Sequence, residues 1–262
     1  MAARLLVERQ GPVLVLTISN PEARNALHPD IYAAGRAALE SLAGDASIRA
    51  VVLGGEGRVF CAGGNLNRLL ENRGRDPAVQ MDSIEGFHGF VRAIRACDRP
   101  VIAAVEGAAA GGGFSLALSC DQIVAAADAK FVMSYVRIGL TPDGGGSWFL
   151  GTRLPFPLAY ELLATAAPIE AARLHALGLV NRVTDPGQAL AAALEHARRL
   201  AEAPAGVLAR LKRLADSAPA HSLPAHLERE RDNFVESLFH ADAGEGITAF
   251  LEKRPPRFGG PR

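Results

Sequence analysis

The fold turns on one stretch, PVIAAVEGAAAGGGFSLALSCDQIVAAA, residues 100–127. Pro100–Gly107 opens it with a short apolar run, the pattern of a strand buried on both faces. Gly111, Gly112 and Gly113 follow, and Phe114–Ser119 then reads as a short helix. Gln122–Ala127 is a second apolar run. Strand, glycine loop, helix and strand in direct succession are the pattern of an α/β unit with parallel strands.

The same alternation extends in both directions. LLVER and Val13–Ser19 flank Gln10-Gly11-Pro12 as an opening strand pair. His28–Gly44 has helical spacing and a terminal glycine. Ile48–Gly55 is a further buried strand, Val79–Ala96 a helix, Phe131–Ser134 a strand, and Leu179–Val183 the last strand. From Pro186 onward the chain reads as helix, broken at Pro204 and Pro224. The expected fold class is therefore α/β, with a core over residues 1–200 and a helical region over 201–262.

Composition narrows the function. Of 262 residues, 49% are hydrophobic, enough for a large core. Basic and acidic residues balance at 28 each, so no nucleic-acid partner is expected. No apolar run approaches the roughly 20 residues of a membrane helix, and MAARLLVERQ lacks the apolar segment of a signal peptide. Cys61, Cys97 and Cys120 suit a reducing compartment, so a cytoplasmic protein is expected. The seven histidines form no ligand pattern, and no metal is expected. His221 and His226 flank a proline and are expected to face solvent.

Two glycine loops follow strands: FCAGGNL (Phe60–Leu66) and the one ending at Gly113. Glycine lets a ligand approach the backbone, and a helix starting near Gly112 adds its positive dipole end. Two such loops can each direct one N–H at a single oxyanion. The same glycines also serve close helix-on-sheet packing. Neither loop has the lysine of a P-loop or the spacing of a dinucleotide fingerprint, so neither ATP nor NAD is indicated. A third segment, GLTPDGGGSWFL (Gly139–Leu150), places Asp143 between a proline and three glycines. Pro-Asp-Gly is a turn signature and aspartate caps helices; a catalytic base beside a ligand-sized gap is the alternative.

FCAGGNL, EGAAAGGGFSLALSCD and IGLTPDGGGSWFL, in this order, resemble the crotonase superfamily of enoyl-CoA hydratases and isomerases. NPEARNAL (residues 20–27), ALGLVNRV (176–183) and EGITAFLEKRPPRF (245–258) extend the resemblance along the whole chain. PDGGGSWFL most resembles the isomerase branch of bacterial phenylacetate degradation. The resemblance implies a spiral of ββα units with a C-terminal helical region that forms trimers, or hexamers as dimers of trimers. It also implies an acyl-CoA thioester as substrate, with no separate cofactor. The thioester carbonyl would lie between the Gly64 and Gly112 N–H groups, which would stabilise an enolate. The CoA contacts of the family map onto Arg24, Ala26, Ala62, Gly64, Asn65 and Leu66, with Phe250 and Lys253 closing over CoA, often from a neighbouring subunit. Asn65 replaces the more usual aspartate. Arg24 and Lys253 are also readable as ordinary solvated charges. The acyl chain is expected to meet the segment Leu69–His88.

The sequence departs from the hydratase pattern at two positions. Ser115 and Tyr135 stand where the hydratase has its two glutamates. Serine is a poor base at neutral pH, and tyrosine has an ordinary pKa of about 10. Asp143 stands where phenylacetate-type isomerases carry a proton-transferring aspartate. The expected reaction is a double-bond shift through an enolate, with Asp143 as base. A hydratase with atypical acid–base groups is a second reading. A third is a hydrolase or dehalogenase with Asp143 as nucleophile and His88 as base. A CoA-binding protein without turnover is the fourth.

Overall fold

The computed structural model describes residues 3–259. Strands β1 (Arg4–Gln10) and β2 (Val13–Ser19) form an antiparallel hairpin across Gly11-Pro12. β1 buries only Leu5, as an edge strand does, whereas β2 is buried along nearly its whole length. Helix α1 (Pro29–Glu40) follows, started by Pro29 and capped by the His28 ring, which accepts from the Asp30 N–H at 3.3 Å. Then come β3 (Ala50–Gly55), α2 (Leu66–Asn72), α3 (Pro77–Ala96), β4 (Val101–Val105), β5 (Ala108–Ala110), α4 (Gly112–Ser119), β6 (Gln122–Ala126) and β7 (Lys130–Val132). Helices α5 (Gly146–Arg153) and α6 (Phe156–Thr165), strand β8 (Ile169–Glu170), helix α7 (Ala171–Ala176) and strand β9 (Arg182–Thr184) complete the α/β part. Helices α8 (Ala189–Ala201), α9 (Ala205–Ser217), α10 (Leu223–Leu238) and α11 (Ala241–Leu251) end the described chain.

Among the described residues the main sheet has six strands in the order β1-β2-β3-β4-β6-β9, parallel after the first pair. Its inner strands β2, β3, β4 and β6 are apolar on both faces because both faces are covered. Alternation assigns the sides. Leu14, Leu16, Val51 and Leu53 join the core that includes residues of α1, α3 and α4, while Val13, Val15, Val52 and Ile102 meet Ala192, Ala193 and Ala197 of α8. Alanine lets α8 lie close on the sheet. The later helices are tied back by charge: Lys212 on α9 pairs with Asp121 at 2.9 Å, and Asp121 also accepts from the Val101 N–H at 2.8 Å.

Three expectations are corrected. The run Pro100–Gly107 is not followed directly by the glycine loop and its helix. The three residues of β5 intervene and pair with β7 in a second sheet, β5-β7-β8. The last strand is Arg182–Thr184, not Leu179–Val183. The N–H groups of Leu179 and Val180 both turn back to the Leu174 carbonyl, which takes them out of the ladder. His221 is exposed, but the side chain of His226 is only 15% exposed, with Nε2 3.6 Å from the Glu230 carboxylate.

Candidate functional site

The loop Phe60–Leu66 is laced onto β5. Cys61 N–H donates to the Ala108 carbonyl at 3.0 Å, and Ala110 N–H donates to the Cys61 carbonyl at 2.9 Å. On its other side, Leu27 N–H donates to Gly63 O at 2.7 Å and Ala62 N–H to Arg24 O at 3.1 Å. These bonds hold NPEARNAL, the first glycine loop and the second glycine loop edge to edge. A Cβ on Gly63 would stand 3.3 Å from the Gly112 nitrogen, so the two loops are in direct contact.

Two buried asparagines stiffen the entry to this layer. Asn25 donates to the carbonyls of Glu56 and Val59 and accepts from the Asn20 N–H, while Asn20 donates to the Ala26 carbonyl. That accounts for both asparagines of NPEARNAL as a backbone brace. In the sequence their only mark is two asparagines in an otherwise ordinary turn.

Gly112 is the first residue of α4, whose opening N–H groups have no partner within the helix. Among the described residues no acceptor pairs with the N–H of Gly64 or of Gly112. Both amides are therefore free to donate, with the helix dipole adding to Gly112.

Asp143 does not cap α5. The N-cap of that helix is Gly145, and no side chain caps it. Instead, Asp143 Oδ1 accepts from the Tyr135 hydroxyl at 2.5 Å. The Ser115 hydroxyl donates to the main-chain carbonyl of Asp143 at 2.9 Å. The turn is seated on Phe87: a Cβ on Gly144, at φ +59°, would lie 2.3 Å from the Phe87 ring and 3.1 Å from Ser115 Cβ. Only glycine fits both that conformation and that approach. Phe87 is buried and packs against Tyr32 with ring centroids 5.2 Å apart.

The electrostatics fix which groups can carry protons. Burial, and next the charge of Asp143, push the phenols of both Tyr135 and Tyr32 well above the usual tyrosine range. Both are neutral hydroxyl donors near pH 7. Asp143 is the one carboxylate that acts on both rings among the described residues. Glu106, at the end of β4, is turned elsewhere: its carboxylate accepts from Gly187 and Ala189 at the start of α8. It lines a separate cleft of about 440 Å³ with Glu56, Arg58 and Asp128.

The other expected residues divide. Ala26 is buried beneath the loops, Ala62 lies between them, and Arg24 is exposed at their edge. Asn65 is the N-cap of α2, its Oδ1 accepting from the Arg68 N–H at 3.2 Å, which leaves the side-chain NH2 as its donor. Leu66, Leu70 and Met81 present exposed apolar side chains on α2 and α3. No hydrogen bond or ion pair joins His88 to Asp143 among the described residues. His88 is part-exposed, with Nδ1 3.8 Å from Glu85, and Phe87 is the residue of α3 that reaches the glycine loops. Its place was legible in the helical spacing of Phe87, Phe90, Val91 and Ile94, all buried. Phe250 and Lys253 are exposed at the end of α11, whose packing partner within the chain is α10. The adjoining tail is pinned by Glu245, which accepts from Arg254 at 2.7 Å and from the Arg257 N–H.

The profile of the enoyl-CoA hydratase/isomerase family matches residues 8–261. The chain belongs to this family. Enoyl-CoA hydratase/isomerase enzymes of this crotonase type act on acyl-CoA substrates, and the fold described above is theirs. The chain is 37% identical over 250 residues to 1,2-epoxyphenylacetyl-CoA isomerase of Escherichia coli K12, covering 95% of each protein. It is 34% identical to 2,3-dehydroadipyl-CoA hydratase of the same organism, covering 98% of this chain and 99% of that one. Among solved structures, a crystal structure of an enoyl-CoA hydratase from Polaromonas sp. JS666 superposes with a TM-score of 0.97 at 54% identity, over 98% of this chain and all of the other. Relatives named as an isomerase and as hydratases thus align with nearly the whole chain.

Proposed function

We propose that this enzyme shifts a carbon–carbon double bond in an enoyl-CoA thioester, with Asp143 as the base. The observation that carries the reading is the position of Asp143. It is held by Tyr135 and by Ser115 of the helix that begins at Gly112, the residues at the two hydratase glutamate positions. The thioester oxygen accepts from Gly64 and Gly112, which stabilises the negative charge that builds on it when the α- or γ-proton leaves. Asp143 takes that proton and returns it to the other carbon, so one carboxylate serves both steps. Hydration uses carboxylates to hold and activate water, and here a neutral serine and a neutral tyrosine stand at those positions.

CoA enters this reading through Arg24, Ala26, Ala62, Gly64, Asn65 and Leu66. Phe250 and Lys253 are supplied by a neighbouring subunit of a trimer or hexamer. Helix α10 supports the assembly: it has no buried residue, and Leu227, Phe234, Val235 and Leu238 stand exposed along it. Light scattering that gives 27.5 kDa at micromolar concentration would remove the assembly from this picture.

The test of the chemistry is solvent-deuterium exchange at the α- and γ-carbons of a 3-enoyl-CoA, followed by NMR. Asp143→Asn keeps size and can still accept from Tyr135, but takes no proton. Exchange and isomerisation should fall by about 10²-fold or more, with CoA-thioester affinity little changed. Undiminished exchange would remove Asp143 from the mechanism. A covalent adduct on Asp143, seen by mass spectrometry, would establish the nucleophile chemistry instead.

A further inference from the structure

We propose that Tyr135 and Ser115 act together as a two-point clamp that leaves Asp143 a single working oxygen, Oδ2. The proposal rests on Asp143 being the base. Three contacts lead to it. The Tyr135 hydroxyl occupies Oδ1 of the carboxylate. The Ser115 hydroxyl, on a fully buried residue of α4, fixes the carbonyl of the same aspartate. Oδ2 accepts from no group among the described residues.

The clamp is joined to the oxyanion loop. A Cβ on Gly112 would lie 3.6 Å from the Tyr135 oxygen, and one on Gly111 3.8 Å from the Tyr135 ring. Ser115 stands one turn into the helix that begins at Gly112. The base is thus fastened at its backbone to the helix that supplies the Gly112 donor, and at its carboxylate to Tyr135, whose hydroxyl lies beside that donor. A proton moved from one carbon to another by a single carboxylate demands a fixed pivot and one mobile contact. Oδ1 on Tyr135 is the pivot, and Oδ2 reaches the carbons. Tyr135 does not take the proton itself, because its phenol is held neutral. It is a positioning residue.

The hydroxyls at the two hydratase positions therefore have a use of their own. They restrain Asp143, one at its carboxylate and one at its carbonyl.

The experiment is a double-mutant cycle on Tyr135→Phe and Asp143→Asn, read by solvent-deuterium exchange. Tyr135→Phe keeps the ring and removes the hydroxyl. Exchange should fall about 10- to 100-fold, through kcat more than KM, with the melting temperature near that of the wild type. Ser115→Ala should give a smaller loss of the same kind. In the Asp143→Asn background, Tyr135→Phe should cost less than about threefold, because a pivot is useless without its base. If Asp143→Asn is impaired but Tyr135→Phe exchanges at the wild-type rate, the clamp is wrong and the base assignment survives. Losses that multiply in the double mutant also overturn the clamp, since Tyr135 would then act independently of Asp143. If Asp143→Asn is itself unimpaired, the base assignment fails first and the clamp falls with it. Should Tyr135→Phe fold poorly, Ser115→Ala in the same cycle decides between these outcomes.

Discussion

Gly113→Ala tests how tightly the two glycine loops depend on each other. A Cβ at Gly113 would stand 2.3 Å from the Cys61 carbonyl oxygen, 2.8 Å from Cys61 Cβ and 2.9 Å from its sulfur. Carbon contacts are favourable near 3.5–4.0 Å, so the loops must separate by about 1 Å. Cys61 has no easy retreat. It is fully buried, and its N–H and carbonyl are both bonded to β5. Overpacking of this kind costs about 1–3 kcal/mol, and an obstacle made of backbone points to the upper end. At about 2–4 °C per kcal/mol for a chain near this size, melting should fall by about 6–12 °C. The neighbouring Gly112 N–H moves with the loop. Loss of one oxyanion donor costs about 10²–10³ in kcat, so deuterium exchange should fall by about 10²-fold even well below the melting point. Gly64→Ala is the control. Its Cβ would meet only Leu69 Cδ1, at an ordinary 3.8 Å. It should melt within about 2 °C of the wild type, as surface changes do. Melting followed by circular dichroism, with exchange on the same samples, reads both. A Gly113→Ala protein with wild-type melting and wild-type exchange would refute the contact between the loops, and so would a Gly64→Ala protein that is destabilised as much.

Other outcomes follow from single contacts. Phe87→Ala should cost about 3–5 kcal/mol in denaturant unfolding, because the ring fills the space beneath Gly144 and against Tyr32; a loss under about 1 kcal/mol would mean that the Asp143 turn is seated elsewhere. Asp121→Asn should destabilise by about 2–4 kcal/mol, since Lys212, with a side chain only 11% exposed, would lose its anionic partner; wild-type stability would show that α9 docks without it. Arg254, together with the Arg257 N–H, holds the Glu245 carboxyl down to about 2, from an ordinary 4.5. Its contribution is thus fully present above about pH 4.5, fades as pH falls toward 2, and is absent in Glu245→Gln. The melting difference between wild type and Glu245→Gln should be largest near neutrality and should close on acidification; a difference that grows instead would reverse the assignment. Burial pushes the Cys61 and Cys120 thiols up to about 12, so neither should react with iodoacetamide at pH 8 until the protein unfolds.

Much of the molecule was determined locally and could be read in order. Apolar runs of strand length separated by helical periods reflect the two side-chain repeats of the backbone, and they placed β2, β3, β4 and β6 within a residue or two. The glycine loops and the aspartate in PDGGG were visible because glycine and proline mark turns by their own geometry. Other features needed the folded chain. Whether Asp143 caps a helix or faces a ligand depends on partners 8 residues away, at Tyr135, and 28 away, at Ser115. No local propensity encodes such a pairing. That the Asn65 Oδ1 also caps α2 depends on where that helix begins. His88 and Phe87 differ by one position on a helix, a turn of about 100°, and only the packing of α3 on the glycine loops chose the phenylalanine. The three residues of β5 are too short to announce themselves, and they exist as a strand because β7 lies alongside. Sequence periodicity set the elements and the kinds of residue at the site. Tertiary packing decided which side chains meet, because hydrogen bonds and steric fit act at a few ångströms between groups that the chain order keeps far apart.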